Sequence, residues 1–116
     1  MNKLYLTLAI VFLAVAGCSQ PTQSQNPPWV DQLINKFQSQ PVGNPPQSIW
    51  QYEYQGQIVY YVPPQCCDQA STLYDANGNV ICAPDGGFTG RGDGRCPDFE
   101  TAATNKKLVW QDTRTR

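Results

Sequence analysis

Five cysteines are the residues of this chain with the widest choice of chemistry. Four of them fall within one part of the sequence, at Cys66, Cys67, Cys82 and Cys96. The fifth, Cys18, stands apart at the end of an apolar run over residues 4–16. A pair of thiols can form a disulfide, and thiolates can bind zinc. Zinc fits the four poorly, because structural zinc sites usually supply two C-x₂₋₄-C knuckles rather than one adjacent pair and two single cysteines.

The sequence has no histidine, which removes most of the catalytic schemes open to a small chain. Histidine is the side chain whose ordinary pKa lies nearest neutral pH, so serine–histidine and cysteine–histidine nucleophiles are excluded. Chemistry based on two carboxylates needs a defined pair, and no spacing singles out two of the candidates. These are Glu53, Asp68, Asp85, Asp93 and Asp98. We therefore expect a non-enzymatic protein, with a carboxylate enzyme as a minor alternative.

The N-terminal residues have the order of a secretory signal peptide. Lys3 supplies the positive charge, residues 4–16 form the apolar core, and small residues follow. The thirteen residues of this run are fewer than the roughly 20 that a transmembrane helix needs. Val15-Ala16-Gly17-Cys18 resembles the lipobox of bacterial lipoproteins. That resemblance implies removal of residues 1–17 and a lipid on the Cys18 thiol, so that the membrane is the first predicted partner.

The cellular location implied by the lipobox also bears on the oxidation state of the other cysteines. Ser19 occupies the position where inner-membrane lipoproteins often have Asp. The resemblance thus implies an outer-membrane protein facing the periplasm in a host with two membranes, or otherwise the outer leaflet of the plasma membrane. Such a compartment is oxidising, so the four remaining cysteines are predicted to form two disulfides.

Two alternative pairings of these four cysteines remain open. Adjacent cysteines lie about 3.8 Å apart at Cα, less than the separation of about 4.4–6.8 Å that disulfides usually span. A Cys66–Cys67 bond is therefore not expected. The alternatives are Cys66–Cys82 with Cys67–Cys96, or Cys66–Cys96 with Cys67–Cys82.

The first predicted secondary-structure element, a helix, follows a polar stretch. Residues 18–26 predict a tether, since they offer almost no apolar side chain to pack. Asn26 is expected to be the N-cap of a helix with Pro27 at its first position. Apolar residues then recur at helical spacing from Trp29 to Phe37, and Pro41 ends the pattern.

Two hairpins and a last strand follow in the sequence. Aromatic residues alternate with polar ones before Gln55-Gly56, and a two-residue turn there would pair Tyr52 with Val59 and Trp50 with Tyr61. Asn77-Gly78 marks the turn of a second hairpin, and residues 107–110 could add a short strand. We predict an α+β fold over residues 27–116, in which one N-terminal helix packs on a small antiparallel sheet of four or five strands with two disulfides.

The glycine-rich segment over residues 85–98 allows three interpretations. Its glycines permit positive φ, so the segment can simply be an irregular connection. Oxygen ligands from Asp85 and Asp93 suggest calcium, although the D-x-D-x-D-G spacing is absent. No other cofactor is expected. The third interpretation is a partner-binding loop on a disulfide-held scaffold, and its candidate residues are Arg91, Asp93 and Arg95.

Several motifs of this region resemble a known family. They are Cys66-Cys67-Asp68, Pro84-Asp85-Gly86-Gly87 and Gly92-Asp93-Gly94-Arg95-Cys96, together with the upstream strand at residues 58–62. The family consists of short, uncharacterised bacterial exported proteins and is classed as a domain of unknown function. The resemblance covers roughly residues 47–112. It implies a small secreted or lipidated protein and no assigned activity.

Charge and composition narrow the function classes further. Without Lys3 the chain has seven basic and nine acidic side chains, so it lacks the basic field that collects nucleic acid. We expect a lipid-anchored cell-envelope protein that acts as a non-enzymatic binding or structural module for an unknown envelope partner. The alternative is a small protease inhibitor that presents residues 86–95, with Arg91 or Arg95 as the anchoring side chain.

Overall fold

The computed structural model of the chain describes residues 25–115. The predicted signal peptide at residues 1–17, the predicted lipid site Cys18 and most of the predicted tether lie outside the described residues, as does Arg116. The elements in chain order are α1 (Pro28–Gln38), β1 (Ser48–Tyr54), β2 (Gln57–Val62), β3 (Thr72–Tyr74), β4 (Val80–Cys82), α2 (Phe99–Ala102) and β5 (Thr104–Gln111).

The strands form one antiparallel sheet in the order β4-β3-β2-β1-β5. The prediction of a small antiparallel sheet is therefore confirmed, with five strands. The described part of the chain contains two helices rather than one. The four-residue α2 was missed because a single turn is too short to show an apolar period.

The first hairpin has the predicted register. Tyr52 pairs with Val59 and Trp50 with Tyr61, across a turn at Gln55-Gly56 where both residues have positive φ. Side chains alternate between the two faces of a strand. The register therefore places Tyr52 and Tyr61 on one face of the sheet, with Ile49 and Tyr60 on the other.

The second hairpin joins β3 to β4 at the predicted Asn-Gly turn. The Asp75 carboxylate accepts hydrogen bonds from the backbone N–H groups of Asn77 and Asn79, both at 2.9 Å. Gly78 has a φ of +87°, and a Cβ at this position would come within 2.8 Å of the Trp29 ring. The glycine thus serves both the turn and the close approach of α1.

Helix α1 covers one face of the sheet. Val30 and Ile49 are fully buried in a cluster that also contains Tyr60 and Val62. The Trp29 ring meets the Tyr60 ring edge-on, with centroids 5.2 Å apart, and its Nε1–H donates to the Ala76 carbonyl at 2.8 Å. The helix is therefore held by apolar burial and by a hydrogen bond to the β3–β4 turn.

The start of α1 differs from the expectation by one residue. Pro27, not Asn26, occupies the N-cap position, and its carbonyl accepts from the backbone N–H groups of Val30 and Asp31. The Asn26 amide instead donates to the Asp31 carboxylate at 3.4 Å. Because the Pro27 carbonyl is already the first helical acceptor, the N-cap assignment to Asn26 was wrong.

The C-terminal end of α1 is tied to the chain beyond β5. The Arg114 guanidinium donates to the carbonyls of Phe37, Gln38 and Gln40 at 3.0–3.2 Å. It also forms a two-point contact with the Asp112 carboxylate, at 2.7 and 3.0 Å. A cation at a helix C-terminus satisfies carbonyls that lack intrahelical donors. This contact therefore fixes residues 112–114 against the helix.

The two cysteine pairs differ from both predicted connectivities. The structure pairs Cys82 with Cys96 and Cys66 with Cys67. Cys82 and Cys96 are both buried in the same apolar cluster, with Cα atoms 6.2 Å apart, within the usual disulfide range. Cys66 and Cys67 are exposed in the segment after β2. The number of disulfides was predicted correctly, but the exclusion of the adjacent pair was wrong. Cys82 and Cys96 are buried in the same cluster and pair with each other, which leaves Cys66 to pair with Cys67.

Candidate functional site

A pocket of about 280 Å³ opens on the face of the sheet opposite α1. It lies where the aromatic side chains of β1 and β2 meet the two ends of the glycine-rich segment. It is lined by Tyr52, Tyr61, Pro84, Asp85, Pro97, Phe99, Glu100 and Lys106. We call it the aromatic pocket.

Three rings form the floor of the aromatic pocket. Tyr52 and Tyr61 lie on the same face because β1 and β2 pair in the register above. Phe99, the first residue of α2, is buried and meets the Tyr52 ring at a centroid distance of 5.1 Å and the Tyr61 ring at 5.5 Å. These distances are typical of directly packed aromatic pairs, so the rings form a continuous surface.

Asp85 is the polar group with the most defined position in the pocket. The Tyr61 hydroxyl lies 2.7 and 2.9 Å from its two carboxylate oxygens and donates to them. The backbone of Asp85 is fixed by Ser71, whose hydroxyl is 3.1 Å from both its N–H and its carbonyl oxygen. A carboxylate offers about four acceptor positions, so a single hydroxyl donor leaves some of them available.

The other charges of the aromatic pocket belong to Glu100 and Lys106, which are both exposed. The Lys106 ammonium lies over the Trp50 ring, 4.4 Å from its centroid. The ion pairs of residues 25–115 are Arg95–Asp93 and Arg114–Asp112, so neither Asp85 nor Glu100 takes part in one. The pocket therefore holds two carboxylates and one ammonium that contacts an aromatic ring.

Two tyrosines of this face, Tyr61 and Tyr54, donate hydrogen bonds to carboxylates. Burial, followed by the hydrogen bond to Asp85, raises the pKa of Tyr61 far above its ordinary value of 10. The pKa of Tyr54 is also raised, first by its 2.5 Å hydrogen bond to Asp98 and then by burial. Neither hydroxyl loses its proton near neutral pH.

The predicted loop residues lie apart from the aromatic pocket. Asp93 and Arg95 pair with each other at 2.8 Å, and the Arg95 N–H also donates to the Asp93 carboxylate. These contacts lower the pKa of Asp93, with the backbone hydrogen bond from Arg95 as the largest cause. Arg91 is exposed near Phe88, whose side chain is 94% exposed. None of these residues lines the pocket, so their role in binding stays a prediction.

The described residues supply no ready ligand set for calcium. Within residues 25–115 no three Cys, Asp or Glu side chains are grouped so that they could hold a metal ion. Asp85 faces Tyr61, whereas Asp93 faces Arg95. In the same range no helix is both long and apolar enough to cross a membrane.

A second and larger pocket, of about 440 Å³, lies beside the β1–β2 turn. It is a wide opening lined mainly by polar side chains and backbone of residues 53–58. Its one aromatic residue, Tyr54, uses its hydroxyl on Asp98. The aromatic pocket is therefore the stronger candidate despite its smaller volume, because ligand sites combine apolar walls with a few placed polar groups.

Most of the aromatic pocket was not identified from the sequence. Asp85 was named as a possible acid or calcium ligand and as part of the Pro84-Asp85-Gly86-Gly87 motif, and Phe99, Glu100 and Lys106 were not predicted as site residues. The Tyr61–Asp85 contact spans 24 residues and depends on how the glycine-rich segment folds back over the sheet. The shared face of Tyr52 and Tyr61 was the one available signal, since the hairpin register follows from the turn.

Comparison with known proteins gives one match. Residues 35–112 match the family model of a domain of unknown function, DUF6970. The match starts within α1 and runs through β5, so it includes every residue that lines the aromatic pocket. No curated protein and no solved structure matches the chain.

Proposed function

The chain belongs to the DUF6970 family, a domain of unknown function, and we propose that it is a lipid-anchored cell-envelope protein that binds a partner without transforming it. The aromatic pocket is the observation that carries this proposal. Its three rings offer apolar contact area, and Asp85 supplies a polar group held in place by Tyr61 and Ser71. Such a combination is typical of a binding site.

A binding role suits the chemistry of the site better than a catalytic one. The sequence has no histidine, and Tyr61 is a hydrogen-bond donor with a raised pKa rather than an activated nucleophile. Activated nucleophiles need a neighbouring base or a lowered pKa. The pocket residues instead form a fixed surface, as expected of a module that presents a preformed site.

The lipid anchor is supported by the sequence of residues 15–18 and by the disulfides, which form in exported proteins. A Cys18→Ala variant should lose metabolic labelling by a fatty acid, and Ser19→Ala, the matched control, should keep it. Persistence of the label in Cys18→Ala, or its absence from the unaltered chain, would contradict the anchor without affecting the pocket.

The inhibitor alternative keeps one favourable observation, since Phe88 and Arg91 are exposed on a segment closed by the Cys82–Cys96 disulfide. However, Gly90 and Gly92 have φ values of +76° and +64°. These values fold the chain back on both sides of Arg91, whereas a protease takes an extended segment into its cleft. These backbone angles thus favour the pocket over the loop as the binding site.

Site-specific photocrosslinking in cells separates the two. A photoreactive phenylalanine derivative would replace Lys106 at the pocket, Phe88 at the loop, or Val80 on β4 at the far edge of the sheet. All three are at least partly exposed. We expect an envelope adduct from position 106 and none from position 80. An adduct from position 88 alone would favour the loop, and no adduct at all would contradict both functions.

A further inference from the structure

We propose that the aromatic pocket accepts the guanidinium group of an arginine side chain from a partner protein. The inference rests on the proposed binding function and specifies what is bound. Two features of the pocket lead to it, its size and its combination of aromatic rings with carboxylates, and its single ammonium provides a test.

The size of the pocket favours one long side chain. Its volume of about 280 Å³ lies just below the range of about 300–1,000 Å³ typical of sites that enclose a whole small-molecule ligand. Protein interfaces often place a single anchoring side chain into a pocket of this kind, and arginine is among the residues enriched there.

The chemistry of the walls matches a planar cation. Guanidinium groups stack on aromatic faces and also form two parallel hydrogen bonds to a carboxylate. The floor offers Tyr52, Tyr61 and Phe99 as ring surface, and Asp85 lies at its side. Tyr61 holds the Asp85 carboxylate from one direction, which leaves acceptor positions for an incoming N–H pair.

Charge favours a cation over a neutral or anionic ligand. Asp85 and Glu100 both line the pocket, and neither has an ion-pair partner among residues 25–115. A pocket with unpaired carboxylates attracts positive charge and repels phosphate and carboxylate groups. A sugar would use the rings and the acceptors but would gain nothing from the second negative charge.

Lys106 repels an incoming cation and therefore allows a test of the sign of the ligand's charge. Its ammonium contacts the Trp50 ring at 4.4 Å and does not form an ion pair with Asp85 or Glu100. Because it lines the pocket and carries a positive charge, its replacement by a neutral residue should tighten the binding of a cation. For an anionic ligand the same replacement would weaken binding.

The test is a titration of the purified full chain in detergent, followed by fluorescence anisotropy of labelled peptides. The probes are Gly-Arg-Gly amide with the fluorophore on its N-terminus and the peptides with citrulline or lysine in place of arginine. Citrulline has nearly the shape of arginine without its charge. The protein variants are Asp85→Asn, which keeps an acceptor for Tyr61, Lys106→Gln, and Asp68→Asn as an exposed control outside the pocket.

We expect the arginine peptide to bind at least tenfold more tightly than the citrulline peptide, since a hydrogen bond between charged groups is about twice as strong as one between neutral groups. Asp85→Asn should weaken arginine binding about tenfold, Lys106→Gln should strengthen it a few fold, and Asp68→Asn should leave it unchanged. Circular dichroism establishes that each variant is folded.

Equal binding of arginine and citrulline, or of arginine and lysine, would overturn the assignment to a guanidinium. An unchanged affinity in folded Asp85→Asn would overturn its place in the pocket. These results are distinguishable from failure of the binding function itself. If the crosslink from position 106 persists while the arginine peptide does not bind, the pocket has a different ligand. If both are absent, the proposed function fails.

Discussion

Gly92 is the residue whose replacement most clearly tests how the glycine-rich segment forms one side of the aromatic pocket. Its φ is +64°, and a Cβ placed on it would overlap the carbonyl oxygen of Ala83 and lie 2.8 Å from the N–H nitrogen of Asp85. Gly90 has a similar φ of +76°, but a Cβ there would meet nothing within 4 Å. Gly92→Ala and Gly90→Ala are therefore a matched pair that differs in crowding.

The two replacements share the cost of a left-handed backbone, about 1–2 kcal/mol for an L-residue. A reduction in unfolded-chain entropy offsets about 0.4–1 kcal/mol of it. Gly90→Ala should thus lower the free energy of unfolding by about 1 kcal/mol. Gly92→Ala must also displace Ala83, whose carbonyl accepts from the Asp93 N–H at 2.9 Å. Loss of that bond at about 1 kcal/mol and local overpacking bring its total to about 3–4 kcal/mol.

Urea unfolding followed by circular dichroism measures both effects. With a denaturant slope of 1–3 kcal/mol/M, typical of small proteins, the midpoint of Gly92→Ala should lie about 1 M below that of Gly90→Ala. Equal midpoints would refute the argument, because they would mean that residue 92 does not approach Ala83 and Asp85 as the structure has it.

Three further predictions concern the scaffold. Trp29→Phe should destabilise the protein by about 1 kcal/mol in urea unfolding, because the hydrogen bond to the Ala76 carbonyl is lost; no change would contradict that contact. The Arg114 guanidinium lowers the pKa of Asp112, so this carboxylate stabilises the fold at neutral pH and ceases to do so as the pH falls below about 4. Asp112→Asn should lower the melting temperature at pH 7 and make its decrease below pH 4 smaller. A decrease below pH 4 equal to that of the unaltered protein would refute the role of Asp112. Mass spectrometry of the unreduced, digested protein should find the linked pairs Cys66–Cys67 and Cys82–Cys96, and a peptide joining Cys66 to Cys82 would refute this connectivity.

The hairpins were predictable because their signals are local. Gln55-Gly56 fixes a two-residue turn, and the turn fixes which aromatic residues face each other. The same reasoning located the β3–β4 turn at Asn77-Gly78. β5 is longer than the predicted residues 107–110 because its first residues are polar and exposed, and pairing with β1 rather than apolar alternation makes them a strand.

The pocket and the disulfides were harder to predict because they depend on contacts between distant segments. Asp85 reaches Tyr61 only after the chain from β4 to α2 has folded across the sheet. The partner of Cys82 follows from which cysteines are buried, and burial of Cys96 could not be read from a segment of glycines and charged residues. Local patterns therefore located the aromatic face but not the acidic group that lies beside it.

The most direct test of a binding role for the aromatic pocket is a map of backbone amide chemical shifts as the arginine peptide is added to the ¹⁵N-labelled full chain. We expect the largest changes at Tyr61, Asp85 and Phe99, which surround the pocket. We expect little change on α1, which covers the opposite face of the sheet. Changes confined to residues 86–95, or to α1, would contradict a binding role for the pocket.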